Sequence, residues 1–176
     1  MPIALDRYDT RTIILHWITA ILVVVLWSSA QVIDWFPQGP ARTNMRSVHV
    51  ALGVLLAIVL VQRIAWRQLA GAQLPAIGHP TLARVAGVVH GVLYLLLVGE
   101  VLLGFTNVWV RGDSIFNLFT IPSFAPGDRA LRRQINGYHE FVANTILVIV
   151  AVHAAAALAH HYLWKDQVLR RMWPRR

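Results

Sequence analysis

Long apolar runs alternate with shorter polar, proline-bearing connections along this chain. Four of the runs stand out, Thr12 to Ile33, Val48 to Trp66, Leu82 to Trp109 and Tyr138 to Trp164. A helix rising about 1.5 Å per residue crosses about 30 Å of hydrocarbon in about 20 residues, so each run is long enough to span a membrane. In lipid only helices and closed barrels satisfy the backbone, and these runs lack the alternation of barrel strands. The pattern predicts an all-α fold, a transmembrane four-helix bundle forming a single integral membrane domain over residues 1–176.

The boundaries agree with a second signal. Trp35, Trp66, Trp109 and Trp164 fall at span ends, where indole prefers the membrane interface, and Pro37, Pro40, Pro75, Pro80, Pro122 and Pro126 lie in the connections. The connection from Arg111 to Asn136 is long, and its amphipathic piece, Asp113 to Phe119, is expected on the membrane surface. Ser28, Ser29 and Ala30 resemble a signal cleavage site, but the apolar run before them is nearer a full span and contains His16, which favours an uncleaved helix. With both termini in the cytoplasm, Arg7, Arg11, Arg63, Arg67, Arg84, Lys165, Arg170, Arg171, Arg175 and Arg176 lie inside, against Arg42, Arg46, Arg111, Arg129, Arg132 and Arg133 outside. Ten against six supports that orientation by the positive-inside rule.

Composition narrows the chemistry. Only 14% of residues are charged, which argues against an ordinary soluble domain. The net charge of +8 belongs to residues flanking apolar segments, so membrane headgroups and anionic solutes are better partners than nucleic acid. With no cysteine there is no disulfide, no thiolate-held iron–sulfur cluster and no covalent c-type haem. Met1 and Met172 are terminal and Met45 precedes a span, so histidine is the better candidate for binding any metal within the bundle.

Histidines within apolar spans are costly and mark functional positions. His139 and His153 lie fourteen residues apart on one span. That spacing is roughly 21 Å along a helix and returns to within about 40° of the same face. His16 and His49 sit near the starts of two other spans, and depth pairs His16 with His153 and His49 with His139. Two bis-histidine sites, one toward each side of a bilayer, suit two b-type haems and a transmembrane electron path.

Alternatives remain at the inner site. His160 continues the His153 stripe by seven residues and competes with it as the partner of His16, although the small side chains from Ala154 to Ala157 favour His153 by letting a flat macrocycle approach. His90 is a further alternative ligand, and Glu100 lies near mid-membrane on the same third span. Either could line a proton or quinone path or make a buried interhelical hydrogen bond. His160, His161, Tyr162, Trp164 and Lys165 form a polar and aromatic cluster, read either as an interfacial anchor or as a quinone site. His79 lies in a loop between Gly78 and Pro80 and is expected to be solvated. Gly53, Gly87, Gly91 and Gly104 would admit a porphyrin or simply pack helices, and Arg84 and the outer arginines could pair with haem propionates.

The passage from His153 through His160-His161-Tyr162-Leu163-Trp164-Lys165-Asp166 to Leu169 and Pro174 resembles the bacterial cytochrome b-561 family. So do Leu15-His16-Trp17, Asn44 to His49, and Tyr138-His139-Glu140, in the same order over essentially the whole chain. The resemblance implies a di-haem protein of the bacterial inner membrane with His16, His49, His139 and His153 as axial ligands. It also implies oxidation of superoxide to O₂ outside, with electrons passed to ubiquinone near His160 and Lys165. Arg129, Arg132 and Arg133 would then help to concentrate the superoxide anion. Two readings compete: a cytochrome b subunit passing electrons between a dehydrogenase or hydrogenase partner and the quinone pool, and a non-redox transporter or structural protein whose histidines bind protons or metal.

Overall fold

The computed structural model describes residues 7–174, so Met1, Arg175 and Arg176 lie outside the described residues. Four helices account for most of the chain: α1 (Thr10–Val32), α2 (Pro40–Leu69), α3 (Pro80–Arg111) and α4 (Arg129–Tyr162). All four are long and apolar enough to cross a membrane.

Each helix overlaps an apolar run, and local chemistry sets where it begins and ends. Proline opens α2 and α3, where its missing N–H costs nothing. That start carries α2 eight residues upstream of Val48. The Asp128 carboxylate accepts from the Leu131 amide at 2.9 Å, starting α4 nine residues before Tyr138. Gly112, at φ 68°, takes the left-handed turn that stops α3, its N–H donating to the Val108 carbonyl. Arg42, Arg46, Arg129, Arg132 and Arg133 are thereby carried on helical extensions of the apolar runs.

Cross-helix contacts fix the up-and-down arrangement. At the end where α1 begins and α4 finishes, Trp66 Nε1 near the end of α2 donates to the Asp9 carboxylate that caps α1, at 2.9 Å. Trp17 on α1 donates to the Met172 carbonyl at 2.8 Å, folding the segment after α4 across the same end. At the opposite end Arg46 of α2 meets Asp113 just past α3 at 3.5 Å, and Asn107 of α3 donates to Asn136 of α4 at 3.2 Å. Helix α1 packs mainly on α2, and α3 mainly on α4, whereas α4 touches α1 only sparingly.

The segment expected as an amphipathic surface piece is a small hairpin. Strands β1 (Ser114–Ile115) and β2 (Phe119–Thr120) pair antiparallel around Phe116 and Asn117, both left-handed at φ 51° and 58°. Such a turn suits a hairpin's twist but costs a non-glycine residue about 1–2 kcal/mol. Tertiary ties offset that cost. The Phe116 amide donates to Ser47 Oγ at 2.8 Å and Asn117 Nδ2 to Asn44 Oδ1 at 2.7 Å, which straps the hairpin to the start of α2. Sequence periodicity carries no trace of that anchor.

The interior is a thin apolar layer. Leu15, Leu22, Leu56 and Val59 cluster between α1 and α2. Val23, Leu60, Leu97 and Ile146 join all four helices, and Ile146, seven residues from both His139 and His153, is only 2% exposed. Outward faces are also apolar, with Ile21, Leu95, Leu102, Val148 and Val152 each at least 60% exposed. Such a surface suits lipid rather than water.

Candidate functional site

The four histidines expected to pair do so in space, one pair on each side of the Ile146 layer. His49 on α2 and His139 on α4 face each other with ring centroids 6.3 Å apart. His16 on α1 and His153 on α4 stand 6.4 Å apart. Two imidazoles binding one metal ion from opposite sides place their centroids about 6 Å apart, from two metal–nitrogen bonds of about 2 Å and about 1 Å from each nitrogen to its ring centre. Helix α4 contributes to both pairs yet packs most closely on α3, so each pair bridges one of the looser interfaces of the bundle.

The residues around the His49–His139 pair fit a b-type haem. A cavity of about 410 Å³ is walled by both rings together with Leu26, Val50, Gly53, Leu97, Val101 and Ile146, and its charged wall residues are Arg46 and Arg111 with Asp34, Glu100, Asp113 and Glu140. This is a cofactor-sized, mostly apolar space whose two arginines, which also face Asp113, could pair with anionic propionates. Gly104 lies against the His139 ring, where a Cβ would sit 3.4 Å from Cε1. Ser29 settles the protonation of His49. Its single hydroxyl proton goes to the Leu26 carbonyl at 2.8 Å, so its oxygen accepts from Nδ1–H of His49 at 2.9 Å. Nε2 of His49 is then left with a free lone pair for a metal.

The second pair has a different electrostatic setting. Arg63 Nη2 lies 2.9 Å from His16 Nδ1, and its guanidinium is also 5.1 Å from the Tyr94 ring. A guanidinium only donates, so Nδ1 of His16 is the acceptor, and the positive charge of Arg63 stands against this ring. His90 on α3 is also close, 5.3 Å from the His153 ring. The set at this end is therefore three histidines, with the His16–His153 separation nearer that of two ligands on one metal.

The remaining candidates fall at the two ends. His160 is not opposite His16: its Nδ1 engages the Asp166 carboxylate and its ring lies 4.5 Å from Trp164. Burial works to raise the Asp166 pKa, but the His160 hydrogen bond and the Val168 amide outweigh it and hold the carboxyl below its ordinary value. Lys165 is exposed where the chain leaves α4, at φ 53°. His79 is exposed and caps α3 by accepting from the Thr81 amide at 3.3 Å.

Arg129, Arg132 and Arg133 occupy the first turns of α4, with Arg129 and Arg133 exposed. Nearby, Arg111 and Arg46 converge on Asp113 at 3.7 and 3.5 Å. Burial pushes Asp113 up, and the surrounding arginines pull it back only in part.

Ser29, Arg63 and Asp166 are the functional neighbours that sequence reading passed over. Ser29 was visible only as part of a small-residue run, and Arg63 only as one of the inside charges. An arginine three residues inside the Trp66 boundary is the signal that was available.

Comparison with known proteins accords with this architecture. The family model described as "Prokaryotic cytochrome b561" matches residues 7–175. The chain is similar to "Cytochrome b561 homolog 1" of Escherichia coli, 31% identical over 98% of this chain and 99% of that protein. It is also similar to "Probable superoxide oxidase CybB" of Yersinia pestis, 30% identical over 97% of each, and to "Cytochrome b562" of Cereibacter sphaeroides, 29% identical over 94% of each. With a match along nearly its whole length, the chain belongs to the prokaryotic cytochrome b561 family, bacterial membrane proteins of helical-bundle fold that transfer electrons with b-type haem.

Proposed function

We propose that the protein is a superoxide:ubiquinone oxidoreductase of the bacterial inner membrane, with both termini in the cytoplasm. Two superoxide anions become two O₂ outside, and one ubiquinone takes the two electrons with two cytoplasmic protons. His49 with His139 and His16 with His153 are the axial ligands of two b haems. The observation that carries this reading is the pair of centroid separations, 6.3 and 6.4 Å, on either side of one apolar layer. When bound, the haems supply one-electron transfer between the two faces.

The protein's own residues do the rest. Removing one electron from superoxide needs close approach and no general base, so the outer end has to attract an anion. Arg129, Arg132 and Arg133, with Arg46 and Arg111 nearby, give that end a positive rim which raises the encounter rate. At the inner end, His160 held by Asp166 beside Trp164 offers a hydrogen-bonding imidazole and an aromatic face, and Lys165 adds a cation. That set suits a quinone ring with its carbonyl oxygens. The 30% identity to a probable superoxide oxidase supports this choice of electron donor.

Detergent-purified protein is expected to show about two b haems per chain by pyridine haemochrome, to be reduced rapidly by superoxide, and to reduce ubiquinone in turn. Its superoxide-driven rate should fall with ionic strength and with charge reversal at Arg129, Arg132 and Arg133. Colourless protein would overturn the electron-transfer reading. Haem-loaded protein that superoxide does not reduce would overturn the donor alone.

A further inference from the structure

Glu100 lies inside the third span, in the wall of the cavity between His49 and His139. Its Oε1 is 3.0 Å from His139 Nδ1, and its side chain is only 13% exposed. The contact is ionic in distance but off the alignment of a hydrogen bond, and Oε2 is buried without a partner among the described residues. A carboxylate at membrane depth is retained only where it has a partner or a polar cavity to face, and Glu100 has His139 as its partner. Gly104, one helical turn further along α3, lies against the same imidazole.

We infer that Glu100 is the positioning residue for His139 and sets the outer haem below the inner one in reduction potential. The inference rests on the ligand assignment proposed above. With Nδ1 of His139 facing a carboxylate, Nε2 is the nitrogen left for the iron, and the negative charge both offsets the charge of ferric iron and makes the ring more electron-donating. Both effects favour the ferric state. His49 faces only a neutral hydroxyl, Ser29, whereas His16 at the other pair faces the guanidinium of Arg63. The fixed charges against the ligands thus have opposite signs at the two pairs. An electron entering outside moves away from a carboxylate and toward a guanidinium. Of the other charged residues in the cavity wall, Arg111 acts on His49 through space and opposes Glu100 in part, while Arg111 and Arg46 are themselves offset by Asp113.

Spectroelectrochemical titration of the full-length, haem-loaded protein tests this. Glu100→Gln keeps an acceptor oxygen but removes the charge. It is expected to raise the lower of the two midpoints by at least tenfold in the one-electron equilibrium, about 59 mV, and to leave the upper one in place. Glu140→Gln, on the same cavity wall but without the ion-pair contact that Glu100 makes with His139, should shift neither midpoint by that much. If Glu100→Gln does not load haem, Glu100→Asp replaces it, with a smaller rise expected in the same midpoint. Two haems with neither midpoint raised, or a rise equalled by Glu140→Gln, would overturn the role of Glu100 and leave the ligand assignment standing. Fewer than two haems in the unsubstituted protein would overturn the ligand assignment itself, and this inference with it.

Discussion

Ser29 decides which nitrogen of His49 is free, because its only proton is committed to the Leu26 carbonyl. Ser29→Ala removes the acceptor that orients the ring. Losses of roughly ten- to a hundredfold in metal affinity are usual for such orienting contacts. The variant is therefore expected to lose haem from one of its two sites more readily, with the second site retained. Titration of haem into the depleted protein measures this, and unchanged affinity at both sites would refute the role given to Ser29. The histidines themselves were legible in the sequence, since a spacing of fourteen on one apolar span has a geometric meaning. Their orienting partners were not. Ser29 lies 20 residues from His49 and Arg63 lies 47 from His16, so these contacts exist only once helices are packed side by side.

Helix α1 begins at a small polar knot around Asp9. The carboxylate accepts from the Thr12 amide at 2.9 Å, the Thr12 hydroxyl at 2.7 Å, Trp66 Nε1 at 2.9 Å and the Ala72 amide at 3.1 Å. It therefore caps one helix and clamps it to the end of another. Burial works to raise the Asp9 pKa, but these hydrogen bonds outweigh it and lower it from 3.8 to about 2. A carboxyl depressed in the folded state contributes stability that is present above its unfolded pKa of 3.8 and is lost as pH falls toward about 2. Asp9→Asn should accordingly lower the unfolding temperature above that window and flatten its fall within it. Thermal unfolding in detergent as a function of pH is the measurement, and a parallel curve for the variant would contradict the account. The apolar cores of the helices were legible from the pattern, whereas their ends were not. A proline at the first position, the Asp128 cap and the Gly112 stop act on single peptide groups, and hydropathy averages over them.

The bundle as a whole presents apolar residues outward and gathers cations at both ends, so its insertion into a membrane is set by its surface and its direction by charge. Because the chain contains no cysteine, that direction can be read cleanly. Gln38→Cys, in the connection between α1 and α2, is expected to react with an impermeant maleimide in intact cells, and Gln73→Cys, between α2 and α3, only after permeabilisation. The opposite result would invert the orientation proposed here. The four spans and the pairing of histidines by depth followed from sequence alone. The strap from the hairpin to Ser47 did not, since two left-handed residues in succession leave no mark on hydropathy. Val23, Leu60, Leu97 and Ile146, one from each helix, are all aliphatic. Such a layer offers a proton no stepping stone, whereas electrons tunnel through hydrocarbon without one. Under the proposed reaction, negative charge crosses inward through this insulator and meets protons drawn from the cytoplasm. Detoxifying superoxide would then also charge the membrane, inside negative, as a small generator built on four aliphatic side chains.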